Sequence, residues 1–98
     1  MKKDLFYKSF LTLKTEDEVK RYLRDLLTLQ EIKEFSSRLT VAEMLQEKIK
    51  YEDITKETSM SSTTIARISK WLNNGSDGYK LVLNRLNHHH SKTRLRED

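Results

Sequence analysis

Nothing that breaks a helix occurs in the first 74 residues of this chain: glycine stands only at positions 75 and 78, and proline is absent. Tight β-turns depend on residues that tolerate or fix special backbone angles, and this stretch offers almost none beyond Asn, Asp and Ser. Its elements must therefore end at capped helix termini, and the apolar spacing supports helices throughout. Leu5, Phe6, Phe10 and Leu13 form a first short stripe. Thr15 and Glu18 make a capping box ahead of Val19, Tyr22, Leu23, Leu26 and Leu27. Thr28 and Glu31 repeat the box and open the longest run, Leu29, Ile32, Phe35, Leu39, Ala42, Leu45 and Ile49.

In the second half of that long helix Val41 and Met44 widen the apolar arc, which predicts burial on two sides. A chain of 98 residues with 36% hydrophobic side chains has few elements to supply two covering surfaces. A second copy of the chain is the economical solution, with the early helices of one subunit on the long helix of the other. Beyond it the spacing predicts a short helix over 51–58 anchored by Ile54, then a tight turn and a helix over 61–73. There Ile65, Ile68, Trp71 and Leu72 share a face, with Trp71 expected in the core. A last helix carries Tyr79, Val82, Leu83 and Leu86, which makes about six helices in an all-α fold. Residues 1–87 are expected to form one domain, and 88–98, without periodic apolar residues, a flexible basic tail.

Charge is unevenly placed along the sequence. Residues 1–60 hold 12 basic and 12 acidic side chains, whereas 61–96 hold seven basic side chains against the single acid Asp77. The cationic half begins where the hydroxyls cluster, in "SMSSTTIARISKWLNNG". A short helix, a tight turn and a second helix rich in small hydroxyl residues at its start have the layout of a helix-turn-helix, here about 51–73. The reading helix of that motif enters the DNA major groove by its N-terminal turns while its other face docks on the core. Ser61, Ser62, Thr63, Thr64 and Arg67 are the candidate base readers, with Lys56 and Lys70 suited to backbone phosphates, as is Lys80. Two positions depart from the usual pattern of the motif: Ser59 stands where a turn glycine is common, and Thr55 where a small alanine is common.

Residues 15–87 resemble the Trp repressor-like proteins of the YerC/YecD type, most closely in "RLTVAEML" and "YEDITKETSMSSTTIARISKWLNNGSDGY". The resemblance implies an all-helical, intertwined homodimer that binds double-stranded operator DNA as a transcriptional regulator, a repressor in the first instance. It also implies a candidate effector pocket near Thr28, Arg38, Arg67, Ile68 and Trp71. Ile68 and Trp71 replace the Gly and Ser that the Trp repressor has there, so free tryptophan is not expected to act as the effector.

Other classes find less support in the residues. A helical protein–protein adaptor, or the DNA-binding module of a mobile-element recombinase, would use the same helices. Enzymatic chemistry has no evident constellation: cysteine is absent, His88, His89 and His90 are consecutive with no acidic cluster beside them, and Glu16, Asp17, Glu18, Glu52 and Asp53 suit helix N-termini. No metal or other cofactor is expected. Without a run of about 18 apolar residues or a signal-like start, the expectation is a cytoplasmic protein that does not enter a membrane.

Overall fold

A computed structural model of the chain describes the backbone of residues 3–97 and the side chains of residues 3–87. Six helices follow one another: α1 (Lys3–Phe10), α2 (Glu16–Leu26), α3 (Leu29–Gln46), α4 (Tyr51–Thr58), α5 (Ser62–Asn74) and α6 (Gly78–Glu97). No strand occurs among the described residues. The chain divides into two compact units, Met1–Phe35 and Ser36–Asp98.

In the first unit both capping signals act, in slightly different ways. Thr15 Oγ1 accepts from the Glu18 N–H at 3.1 Å, while the Glu18 carboxylate accepts from the Lys14 N–H at 2.9 Å, one residue ahead of the cap. At α3 the box is reciprocal: Thr28 Oγ1 accepts from Glu31 N–H and Glu31 Oε1 accepts from Thr28 N–H, both at 3.0 Å. An aromatic row ties α1 to α2, with Phe6 edge-on to Phe10 and Phe10 edge-on to Tyr22 at centroid distances of 5.2 and 5.6 Å. Ser9 Oγ and Tyr22 Oη share a hydrogen bond of 2.6 Å at the side of that row. Yet no residue of α1 or α2 is buried in the single chain. Leu5, Phe6, Leu11 and Leu29 stay exposed, a quantity of apolar surface that a small unit can bury only against another surface.

The second unit holds the core. Val41, Ala42 and Met44 of α3, Ile54 of α4, Ile65, Ile68 and Leu72 of α5 and Leu83 of α6 are buried together, with Leu39, Leu45, Ile49, Met60 and Tyr79 packed around them. Five of these side chains, Ile54, Ile65, Ile68, Leu83 and Val41, are essentially inaccessible, and each contributes about 1.5–3 kcal/mol by leaving water. The apolar arc around Val41 and Met44 is thus used within this unit, by α4, α5 and α6.

Three elements differ from the sequence expectation. The long helix stops at Gln46, and Ile49 lies beyond it. Lys48 takes a left-handed conformation (φ 66°), and the bonds Ile49 N–H to Met44 O (3.1 Å) and Lys48 N–H to Leu45 O (3.0 Å) complete a Schellman stop. Trp71 is 46% exposed rather than in the core, because the buried arc of α5 runs through Ile65, Ile68 and Leu72 and leaves Trp71 at its margin. The last helix, α6, extends to Glu97, past Leu86 where its apolar periodicity ends, and of its apolar face Leu83 is buried whereas Val82 and Leu86 are exposed. The side chains of the histidine run 88–90 lie outside the described residues.

Glycine is required at 75 but not at 78. A Cβ on residue 75 would fall on the carbonyl oxygen of Trp71, whereas one on residue 78 would meet nothing within 4 Å. Gly75 closes α5 by donating its N–H to that same carbonyl at 3.0 Å.

Candidate nucleic-acid interface

The link between α4 and α5 is three residues long, Ser59, Met60 and Ser61. Ser59 supplies the reversal: it is left-handed (φ 61°, ψ 14°) and donates its N–H to Thr55 O at 2.9 Å. A side chain there costs on the order of 1 kcal/mol relative to glycine. The Thr58 hydroxyl steadies the bend by donating to Ile54 O at 2.7 Å and accepting from Met60 N–H at 3.3 Å. Met60 tucks against the core from the link itself. Thr55, in the place where alanine is common, is accommodated half-buried.

The hydroxyl run that opens α5 divides into two pairs. Ser61 is the N-cap: its Oγ accepts from Thr64 N–H at 3.2 Å and donates to Thr64 Oγ1 at 3.0 Å. Cap formation therefore accounts for Ser61 and Thr64. Ser62 and Thr63 are exposed and line an open depression of about 510 Å³ together with Ala66, Arg67 and Lys70. Ala66 has no place in the sequence-based set. Its position one turn after Ser62 and Thr63 was the available signal, and its small side chain is what leaves the depression open between them and Arg67. Lys56 is exposed in the last turn of α4, so α4 and α5 each bring a cation to the surface near the link.

Within the second unit the candidate effector-pocket residues divide between different surroundings. Ile68 is fully buried in the core, where it cannot line a cavity open to a ligand, and Arg67 belongs to the depression just described. Thr28 spends its hydroxyl on the cap of α3. Arg38 and Trp71 do meet: the guanidinium carbon lies 5.9 Å from the centre of the Trp71 ring, a cation–π contact between α3 and α5. Trp71 also forms one wall of an apolar groove of about 530 Å³, opposite Leu39, Tyr79 and Val82. Among the described residues no group of three or more His, Cys, Asp or Glu could hold a metal ion, and no helix is long and apolar enough to cross a membrane.

Comparison with known proteins gives consistent results. The family model described as Trp repressor protein matches residues 2–87. The uncharacterized protein YerC of Bacillus subtilis (strain 168) is 41% identical over 83 residues, which span 85% of this chain and 80% of YerC. The crystal structure of a TrpR-like protein from Eubacterium eligens superposes with a TM-score of 0.81 at 39% identity, covering 86% of this chain and 87% of that one. A crystal structure described as that of a candidate Trp repressor from Staphylococcus aureus gives 0.80 at 36% identity, with 86% and 84% covered. With six helices in this order and matches across most of its length, the chain belongs to the Trp repressor family, in its YerC-type branch.

Proposed function

We propose that α4 and α5 form a helix-turn-helix, and that the chain acts as a homodimeric, sequence-specific DNA-binding regulator of transcription. One observation carries this most directly: α5 is split lengthwise into a docked face and an open face. Ile65, Ile68 and Leu72 are buried, while Ser62, Thr63, Ala66, Arg67 and Lys70 line one open depression beginning at the first turn. Short side chains at that end let a helix backbone approach base edges, Arg67 can pair with guanine, and Lys56 and Lys70 match phosphates on either side. Ser61 and Thr64 hold the end of the helix in shape and present their polar edges to the backbone. Membership of the Trp repressor family supports the same function.

The exposed apolar surface of α1, α2 and the start of α3 supports the dimeric part of this reading. Leu5, Phe6, Leu11, Leu29 and Phe35 together would be costly to leave in water, and a second copy supplies a matching surface. A two-fold pair of reading helices would then contact half-sites about one DNA turn apart, roughly 34–36 Å. Free tryptophan is not part of this proposal, since Ile68 fills core space and Trp71 already lies beneath Arg38. Selection of bound duplexes from a random pool tests the function: a two-fold symmetric consensus supports it, and indifference to sequence refutes it.

A further inference from the structure

A further cavity, of about 470 Å³, is bounded by the end of α3, the start of α4, the second half of α5 and the first turns of α6. Its apolar floor is Leu45, Ile49 and Leu72, all packed on or within the core. Tyr51 and Ser69 bring hydroxyls to its lining, and Lys48 and Lys80 bring two ammonium groups. No carboxylate lines it. The volume is of the order usual for a small-molecule site, and above the apolar floor the wall is polar, with Gln46 and Asn73 beside the hydroxyls and ammonium groups.

The two lysines sit at opposite kinds of helix terminus. Lys48 occupies the left-handed stop of α3, a position that favours glycine. Lys80 is half-buried in the first turn of α6, which has no acidic residue, and a cation there opposes the helix dipole. Two ammonium groups in a lining without a carboxylate suit a doubly charged anion.

We propose that this cavity binds a small phosphate monoester, with its phosphoryl group held by Lys48 and Lys80 and a compact organic body resting on Leu45, Ile49 and Leu72. Because the walls come from α3, α4, α5 and α6, an occupied cavity fixes α5 against its supports and changes the pose of the reading residues. That regulatory consequence rests on the DNA-binding function proposed above; the site itself does not.

Calorimetric titration of the full chain with phenyl phosphate, in the absence of DNA, tests the site. Saturable binding is expected, with inorganic phosphate and phenol each at least about tenfold weaker, and with Lys80→Gln and Lys48→Gln each weakening phenyl phosphate about tenfold. Circular dichroism of both variants establishes that they fold, and amide NMR shifts at Ser69 and Asn73 on titration place the ligand independently of the lysines. Absence of saturable binding, equal affinity for inorganic phosphate, or unperturbed Ser69 and Asn73 signals would overturn the proposal. So would lysine variants that bind phenyl phosphate normally but lose affinity for duplex, since the lysines would then be contacts to DNA phosphates. Phenyl phosphate uptake by a chain that binds no duplex would support the site and remove only its regulatory consequence.

Discussion

The Arg38 guanidinium carbon stands 5.9 Å from the centre of the Trp71 ring, joining α3 to α5 at the margin of the core. Trp71 remains 46% exposed, so the contact is accessible to water and contributes about 0.5–1 kcal/mol. A double-mutant cycle of Arg38→Ala and Trp71→Ala, followed by urea unfolding, should return a coupling of that size. With an indole of the chain itself already under the cation, isothermal titration with free tryptophan should show no binding heat. A micromolar constant for tryptophan would contradict this.

The two glycines should respond in opposite directions to the same substitution. Gly75→Ala places a methyl on the Trp71 carbonyl and should destabilise the chain by more than about 1 kcal/mol. Gly78→Ala meets open space at a helix start and should stabilise by about 0.4–1 kcal/mol. Chemical denaturation of the two variants, compared at equal chain concentration, gives both signs.

Ser59→Gly should stabilise by about 1 kcal/mol, since glycine adopts the left-handed turn without a Cβ penalty. Operator affinity should stay unchanged, because the Ser59 hydroxyl has no place in the proposed reading set. Thermal unfolding and a binding titration on the same variant check the two halves together.

These positions also mark how far the sequence could be read. The capping boxes at Thr15 and Thr28, the bounds of α4 and the buried spacing of Ile65, Ile68 and Leu72 all follow from local chemistry, and local chemistry is visible in sequence. The end of α3 was not visible, because its stop uses Lys48 in a conformation that only a glycine would have advertised. Trp71 was misplaced because it falls at the edge of a helical arc, where packing partners, not periodicity, decide burial. The division of the hydroxyl run into caps and open residues depends on which way Ser61 and Thr64 turn toward each other, a matter of three-dimensional geometry. Likewise the cavity of Lys48 and Lys80 brings together residues 32 positions apart, which no spacing rule would pair.

Leu39→Asp and Leu45→Asp should each unfold the chain instead of releasing a folded monomer. Both side chains are half-buried against the core of the second unit, where a carboxylate would be left without a partner. Sedimentation equilibrium with circular dichroism distinguishes the cases: a well-folded monomer from either variant would contradict the dependence of the fold on Leu39 and Leu45 at the core.

Anisotropy titration of a selected duplex against a scrambled one, across a range of salt, with the native chain, Thr63→Ala and Lys56→Ala, is the most direct test of DNA reading by α5. The native chain should prefer the selected duplex. Thr63→Ala should lose about 1–3 kcal/mol of that preference, and Lys56→Ala should weaken both duplexes alike while making the salt dependence shallower by about one unit. Equal affinity of the native chain for the two duplexes, or a Thr63→Ala variant with undiminished preference, would contradict base reading by the open face of α5.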